Sequence, residues 1–390
     1  MIKNILLTVF VLNCFVPSHA QQDKLITFKE APQDVSVRMI EKAKQKGFPK
    51  MNQSAYDMGL GYILKPQDRF RLEAVYMTKS KKVPFAVYGA IADKYAEIFN
   101  EASELGYPQM DEKPMKDGAY QFFEKGAIYW SNSTGAHIVR GDILGRYMNE
   151  NYANGFLGFP VDDLKITPDK KGSYVYFQGG CIYRTPAKVC FAISGNILKK
   201  WGEEQFERGF YGYPISEAKV VCLDSEKSSY KVTSQEFEGG MIVTYSDLTF
   251  TIPGSNSKNI KDGPRIFQTY RGLGGTSSWL RVPVEKAIRG QGVWLQQFTK
   301  GYIYVKDNEG FGYTIHKGPI WNEIAKRKWE QGCGYVIDEQ VVKGNVTYQV
   351  FSKGTIYYLG DINETVWKPG DNGKWYLDRK KNQPVGQSEF

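Results

Sequence analysis

Apolar residues recur along this chain at two alternating spacings. Stretches with an apolar residue at every second position, as in half-buried strands, give way to stretches where one returns every three or four, as on a helix face. The string Phe-x-x-Gly-x-Ile-(Tyr/Val) occurs five times, with its glycine at Gly126, Gly180, Gly240, Gly301 and Gly354, so the copies lie 54, 60, 61 and 53 residues apart. An earlier copy, Phe70 to Tyr76, keeps the apolar positions but lacks the glycine. Phe123, Phe177, Phe237, Phe298 and Phe351 open the copies and are predicted to be core. Such self-similarity marks a stack of like modules, none of which can bury its apolar face alone.

Two further strings keep step with the first. (Phe/His)-x-(Val/Ile)-x-Gly ends at Gly89, Gly141, Gly195 and Gly254, and Gly-aromatic-Pro occurs at Gly47, Gly106, Gly158 and Gly212. The first string predicts a hairpin whose tight turn uses glycine for a positive φ. The second alternates like a strand. Helical spacing follows it, with Asp142 and Asn196 placed as N-caps and Gly155 and Gly209 as C-terminal glycines. Proline then forbids further helix. One unit is therefore helix, Gly-aromatic-Pro turn, hairpin and third short strand.

Helices are predicted near 34–46, 90–103, 142–153, 196–208 and 319–331, with a degraded one after Gly254, where Ser255 to Gln291 shows no clear helix. The fold class is an α+β repeat array of about five to six units, mostly hairpins with one short helix each. A propeller-like ring or horseshoe would protect the sheet edges. Units are expected near 47–108, 109–160, 161–214, 215–290, 291–337 and 338–360, after a lead at 21–46 and before a tail at 361–390.

Leu157-Gly-Phe-Pro160, with Ile128-Tyr129-Trp130, Thr134 to His137 and Gly141, resembles the LGFP repeat family. The resemblance covers roughly residues 47 to 360, closely around 118–160 and 172–214 and loosely elsewhere. It implies an exported bacterial protein associated with the cell envelope. In that family such arrays often accompany cell-wall enzymes and are thought to bind envelope glycan. Gly332-Cys-Gly-Tyr335 departs from the family's string.

Composition narrows the setting. The chain of 390 residues has a formal net charge of +9 and is 14% aromatic, which excludes disorder throughout. Lys3, the apolar run Ile5 to Val16 and Ser18-His19-Ala20 form a signal-peptide pattern over 1–20, too short to span a membrane. Cleavage after Ala20 would leave +8, two histidines and four cysteines. Cys181, Cys190, Cys222 and Cys333 allow three pairings in an oxidising compartment. Placing Tyr183 opposite Cys190 would make Cys181 and Cys190 same-face diagonal neighbours, the favoured pair; Cys190–Cys222 is its rival.

Catalytic patterns are missing from the sequence. It holds no Gly-x-Ser-x-Gly elbow, no His-Glu-x-x-His, no phosphate-binding loop and no calcium loop. The mature histidines, His137 and His316, fall at different repeat positions. The expectation is a secreted, non-catalytic binder of envelope polysaccharide, with an anionic polymer favoured by the charge, and with no cofactor, metal or nucleic acid. A structural or protein-interaction scaffold is the alternative. Flat aromatics beside hydrogen-bonding groups suit sugars, which points to Tyr129, Trp130, His137, Arg140, Tyr183, Arg184, Tyr304 and Tyr357. The same tyrosines are equally what a repeating strand would bury.

Overall fold

A computed structural model describes residues 29–223, 231–254, 265–290, 292–307, 309 and 311–375. The signal-peptide pattern and most of the tail lie outside these residues. Six four-stranded antiparallel sheets follow one another, each with its strands paired in chain order. Sheets 1 to 6 span residues 56–87, 113–140, 165–194, 219–253, 288–316 and 341–369. Helices α1 (Gln33–Gln45), α2 (Gly89–Glu97), α3 (Gly141–Asn149), α4 (Gly195–Glu203), α5 (Ile266–Gly272) and α6 (Pro319–Lys326) precede the sheets one by one. The chain divides into two compact units. The first is Met1–Leu144 with Phe159–Asp163, and the second is Gly145–Gly158 with Leu164–Phe390.

The repeat expectation holds, and each unit carries one strand more than its sequence shows. A short strand, such as Lys113–Met115 or Lys165–Ile166, precedes each hairpin and is too exposed to display an apolar alternation. The five opening phenylalanines are buried.

The helix predicted near 34–46 runs unbroken as α1, and the other predicted helices are broken. After two turns the backbone passes through consecutive positive-φ residues, Phe99–Asn100, Asn151–Tyr152, Gln205–Phe206, Gly274–Gly275 and Lys328–Trp329, into a 3₁₀ turn. Only one of those pairs is glycine, which accounts for the Gly272-Leu-Gly274-Gly275 cluster. The degraded helix expected after Gly254 is α5, where Tyr270 is buried. The capping expectation fails: α3 and α4 begin at Gly141 and Gly195, so Asp142 and Asn196 lie inside the helix.

Gly240 and Gly354 are at positive φ, but the other glycines do different work from the one their spacing predicted. Gly126, Gly180 and Gly301 are not at positive φ; a Cβ on Gly126 would sit 2.6 Å from Leu105 Cδ2, and one on Gly180 2.5 Å from the Ile193 carbonyl. Gly155 and Gly209 are extended, and a Cβ there would strike the Glu150 and Glu204 carbonyls. Close backbone approach is the reason for these glycines.

Gly-aromatic-Pro straddles neighbouring sheets. Leu105 packs on Gly126 of the sheet that follows it, whereas Tyr107 lies on Gly61 of the sheet before it, 2.6 Å from a Cβ added there. Phe159 on Gly118 and Tyr213 on Gly172 repeat the second contact. The central glycine has φ between +64° and +79° at Gly47, Gly106, Gly158, Gly212 and Gly334, and the hairpin-turn side chains of Glu124, Gln178 and Glu238 cover it in the middle three. Leu280-Arg281-Val282-Pro283 is the fifth copy, unrecognised in the sequence, with Arg281 at φ +65°.

The cysteines correct a second expectation. Cys190 pairs with Arg184, and Tyr183 with Phe191, so the register is one residue from the one assumed. Because side chains alternate across a strand, Cys181 and Cys190 project from opposite faces. No disulfide joins these four cysteines.

Candidate functional site

Within each compact unit successive sheets meet along seams, and polar side chains fasten them. A helix aromatic donates to the carbonyl of the central motif residue: Tyr95 to Gly106 at 2.6 Å, Tyr147 to Gly158 at 2.7 Å and Trp201 to Gly212 at 3.1 Å. Tyr270 does the same to Arg281. A buried glutamine two residues before the opening phenylalanine spans the seam. Gln121 Nε2 donates to Ala86 O and Met110 O, Gln235 to Ala192 O and Ser216 O, and Gln296 to Thr251 O and Glu285 O. Gln349 reaches Asp338 O. Sheet 3 has Val175 at that position. Gln-x-Phe occurs in four of the five copies and was the signal for this staple.

An acidic residue three places beyond the motif proline completes the fastening in the first unit. Asp111 accepts the Ala86 N–H at 2.9 Å and Lys42 Nζ at 2.5 Å. Asp163 accepts the Ile138 N–H at 2.9 Å and meets Lys94 Nζ at 2.7 Å, with His137 Nδ1 at 3.6 Å. Burial alone would raise the Asp163 carboxyl, but the Lys94 and Ile138 hydrogen bonds hold it below the usual carboxylate range.

The proposed sugar-facing residues divide. Tyr129, Tyr183, Tyr304 and Tyr357 are buried, which corrects their reading as sugar platforms. Their rings pack against neighbours, Tyr183 stacking on Tyr174 at 4.8 Å and meeting Trp201 edge-on, and burial raises the Tyr183 and Tyr304 phenols. His137 is half-buried; its Nε2 lies 2.8 Å from the Thr134 carbonyl. Arg140 pairs with Glu104. Arg184 is half-buried opposite Cys190. Trp130 and Arg140 lie on one face of the sheet 2 hairpin and Tyr129 and His137 on the other, so the four do not converge.

Trp130 stands apart from the buried rings. It is half-buried at the rim of the core between sheets 1 and 2, which Tyr56, Met58, Ile98 and Ala136 also edge. Other seams in the second unit have comparable rims. Tyr174 and Tyr176 edge the core of sheets 3 and 4, Tyr245 and Trp294 that of sheets 4 and 5, and Tyr313 and Tyr358 that of sheets 5 and 6. Among the described residues no three or more His, Cys, Asp or Glu side chains gather to hold a metal.

The LGFP repeat family matches residues 105–155 and 157–209, each match beginning at or beside the leucine that packs into the following sheet. Those two stretches are similar to the LGFP repeat. The matched residues include both partners of the Tyr147–Gly158 bond. LGFP repeats occur in cell-envelope proteins. No curated protein matches the chain.

Among solved structures, PorZ of the Porphyromonas gingivalis type-IX secretion system aligns over 81% of this chain and 35% of its own, at 9% identity and a TM-score of 0.16. The extracellular domain of BT4673 from B. thetaiotaomicron aligns over 88% and 39%, at 9% identity and a TM-score of 0.14. The chain thus spans under two fifths of the length of either protein. Among the described residues no helix is long and apolar enough to cross a membrane.

Proposed function

We propose that the protein is an exported, non-catalytic binding array of the cell envelope whose seam rims hold envelope glycan. The observation behind this reading is Trp130, half-buried at the rim of the core between sheets 1 and 2, a core that Tyr56 and Met58 also edge. A flat ring with one part on the core and the rest in solvent offers the apolar face on which a sugar ring stacks. Weak sites repeated along an array bind a polymer by avidity. The surplus of positive charge favours an acidic polysaccharide or phosphorylated envelope polymer.

One observation favours a second reading. Trp130 also packs on the core, as a residue of a pure scaffold would. A glycan array run with the mature protein at two salt concentrations separates the two. Glycan retention that falls with salt and disappears in Trp130→Ala, with the melting temperature held, supports binding. A blank array, with Trp130→Ala only lowering the melting temperature, leaves the scaffold.

A further inference from the structure

In a sheet whose strands pair in chain order, the turn between strands one and two and the turn between strands three and four share one end. At that end, five of the six sheets leave an apolar side chain in solvent. Val83, Val189, Leu248, Phe311 and Ile362, all in or beside the third-to-fourth-strand turn, are 47–61% exposed. Scattered exposed apolar residues are ordinary, but recurrence at one module position is not.

Sheet 1 adds the most. Leu60, in the first turn, is 81% exposed, and the Lys79 N–H donates to its carbonyl at 3.1 Å, so the two turns lie side by side. The second turn is the basic run Lys79-Ser-Lys81-Lys82, shaped by Thr78, whose carbonyl accepts the Lys82 N–H at 3.0 Å. Arg38 joins it from α1, its Nη1 bonding the Lys82 carbonyl at 3.2 Å. Asp57 offsets Lys79 and Asp34 offsets Arg38, while Lys81 bonds the neutral Gln109. In sheet 3 the same end carries Val189 with Lys188, Lys170 and Lys171.

We propose that this end of sheet 1 docks on an anionic lipid bilayer. The aliphatic tips enter the headgroup layer while the lysines meet lipid phosphates. Charge complementarity selects an anionic partner, and the tips select a bilayer over a dissolved polyanion, which would leave Leu60 and Val83 uncovered. This surface borders the Trp130 seam, since Met58 shares the turn of Leu60, but it uses different side chains.

Vesicle flotation tests it, with phosphatidylcholine alone against phosphatidylcholine holding about a third phosphatidylglycerol. The protein is expected to float with the anionic vesicles and not the neutral ones. Lys81→Gln with Lys82→Gln should weaken binding about five-fold per charge removed. Leu60→Ser with Val83→Ser should weaken it too, with melting temperature and glycan-array profile unchanged. Absence of flotation, flotation indifferent to Leu60→Ser and Val83→Ser, or full competition by soluble dextran sulfate would each overturn the proposal.

Discussion

Phe159 lies across Gly118 so closely that a Cβ there would come 2.6 Å from its ring. The aromatic of one motif is thereby keyed into the sheet before it, and the glycine that makes room begins a strand instead of a turn. Gly118→Ala should cost about 2–4 kcal/mol, because the ring and the Trp130 carbonyl behind it cannot both give way. Gly135→Ala is the control, since at φ +84° a Cβ meets open space and only the backbone conformation is penalised, by about 1–2 kcal/mol. Calorimetric melting of the two variants checks the order; equal losses would mean that the keyed contact carries no weight.

The buried glutamines should behave as a set. Gln121→Ala strips the Ala86 and Met110 carbonyls of a donor in a buried seam, at a cost of about 1–3 kcal/mol. Gln121→Val should be milder, because Val175 fills the same position in sheet 3. Chemical denaturation of both variants measures the difference.

Much of this architecture was legible in the sequence, for a physical reason. Phe177 and Ile182 must be buried in every copy, and a repeated burial demand leaves a repeated apolar pattern. The same logic hid what is fastened by the backbone. Tyr95, Tyr147, Trp201 and Tyr270 all donate to a carbonyl eleven residues on, a spacing that would have exposed α5 and the Leu280 copy. Arg281 concealed that copy by standing where the others have glycine. The site suffered most, because a tyrosine alternating in a strand reads the same whether its ring meets a sugar or a neighbouring module, as Tyr129 and Tyr357 show.

Acid should loosen the first unit through Asp163. Its carboxyl titrates below the ordinary value in the folded chain, so its contribution is complete above about pH 4 and is lost as pH falls toward the folded value. Asp163→Asn should therefore lower stability at neutral pH while flattening the dependence on acid below about pH 4. Melting curves from pH 7 down to pH 3 check this; parallel curves for the two proteins would remove Asp163 as the source.

Arg281 pays the conformational penalty that its counterparts avoid with glycine. Arg281→Gly relieves a left-handed backbone worth about 1–2 kcal/mol. It also gives up the 3.2 Å bond from Arg281 Nη1 to the Leu223 carbonyl, about 0.5–1.5 kcal/mol. The net expectation is a small rise in melting temperature. Arg281→Ala, which loses the bond and keeps the strain, should fall below the parent.

The thiols offer the most direct check on the sheet 3 register. Cys222 is exposed on an edge strand, Cys190 is half-buried, and Cys181 and Cys333 are buried. Burial also pushes the Cys333 thiol up to about 11, which suppresses the reactive thiolate. In native protein a thiol reagent should label Cys222 first and Cys190 more slowly, reaching Cys181 and Cys333 only after denaturation. Intact mass spectrometry counts the labels. Two rather than four labels after denaturation without reductant would reveal a disulfide, and finding Cys181 joined to Cys190 would require the Tyr183–Phe191 pairing to shift by a residue.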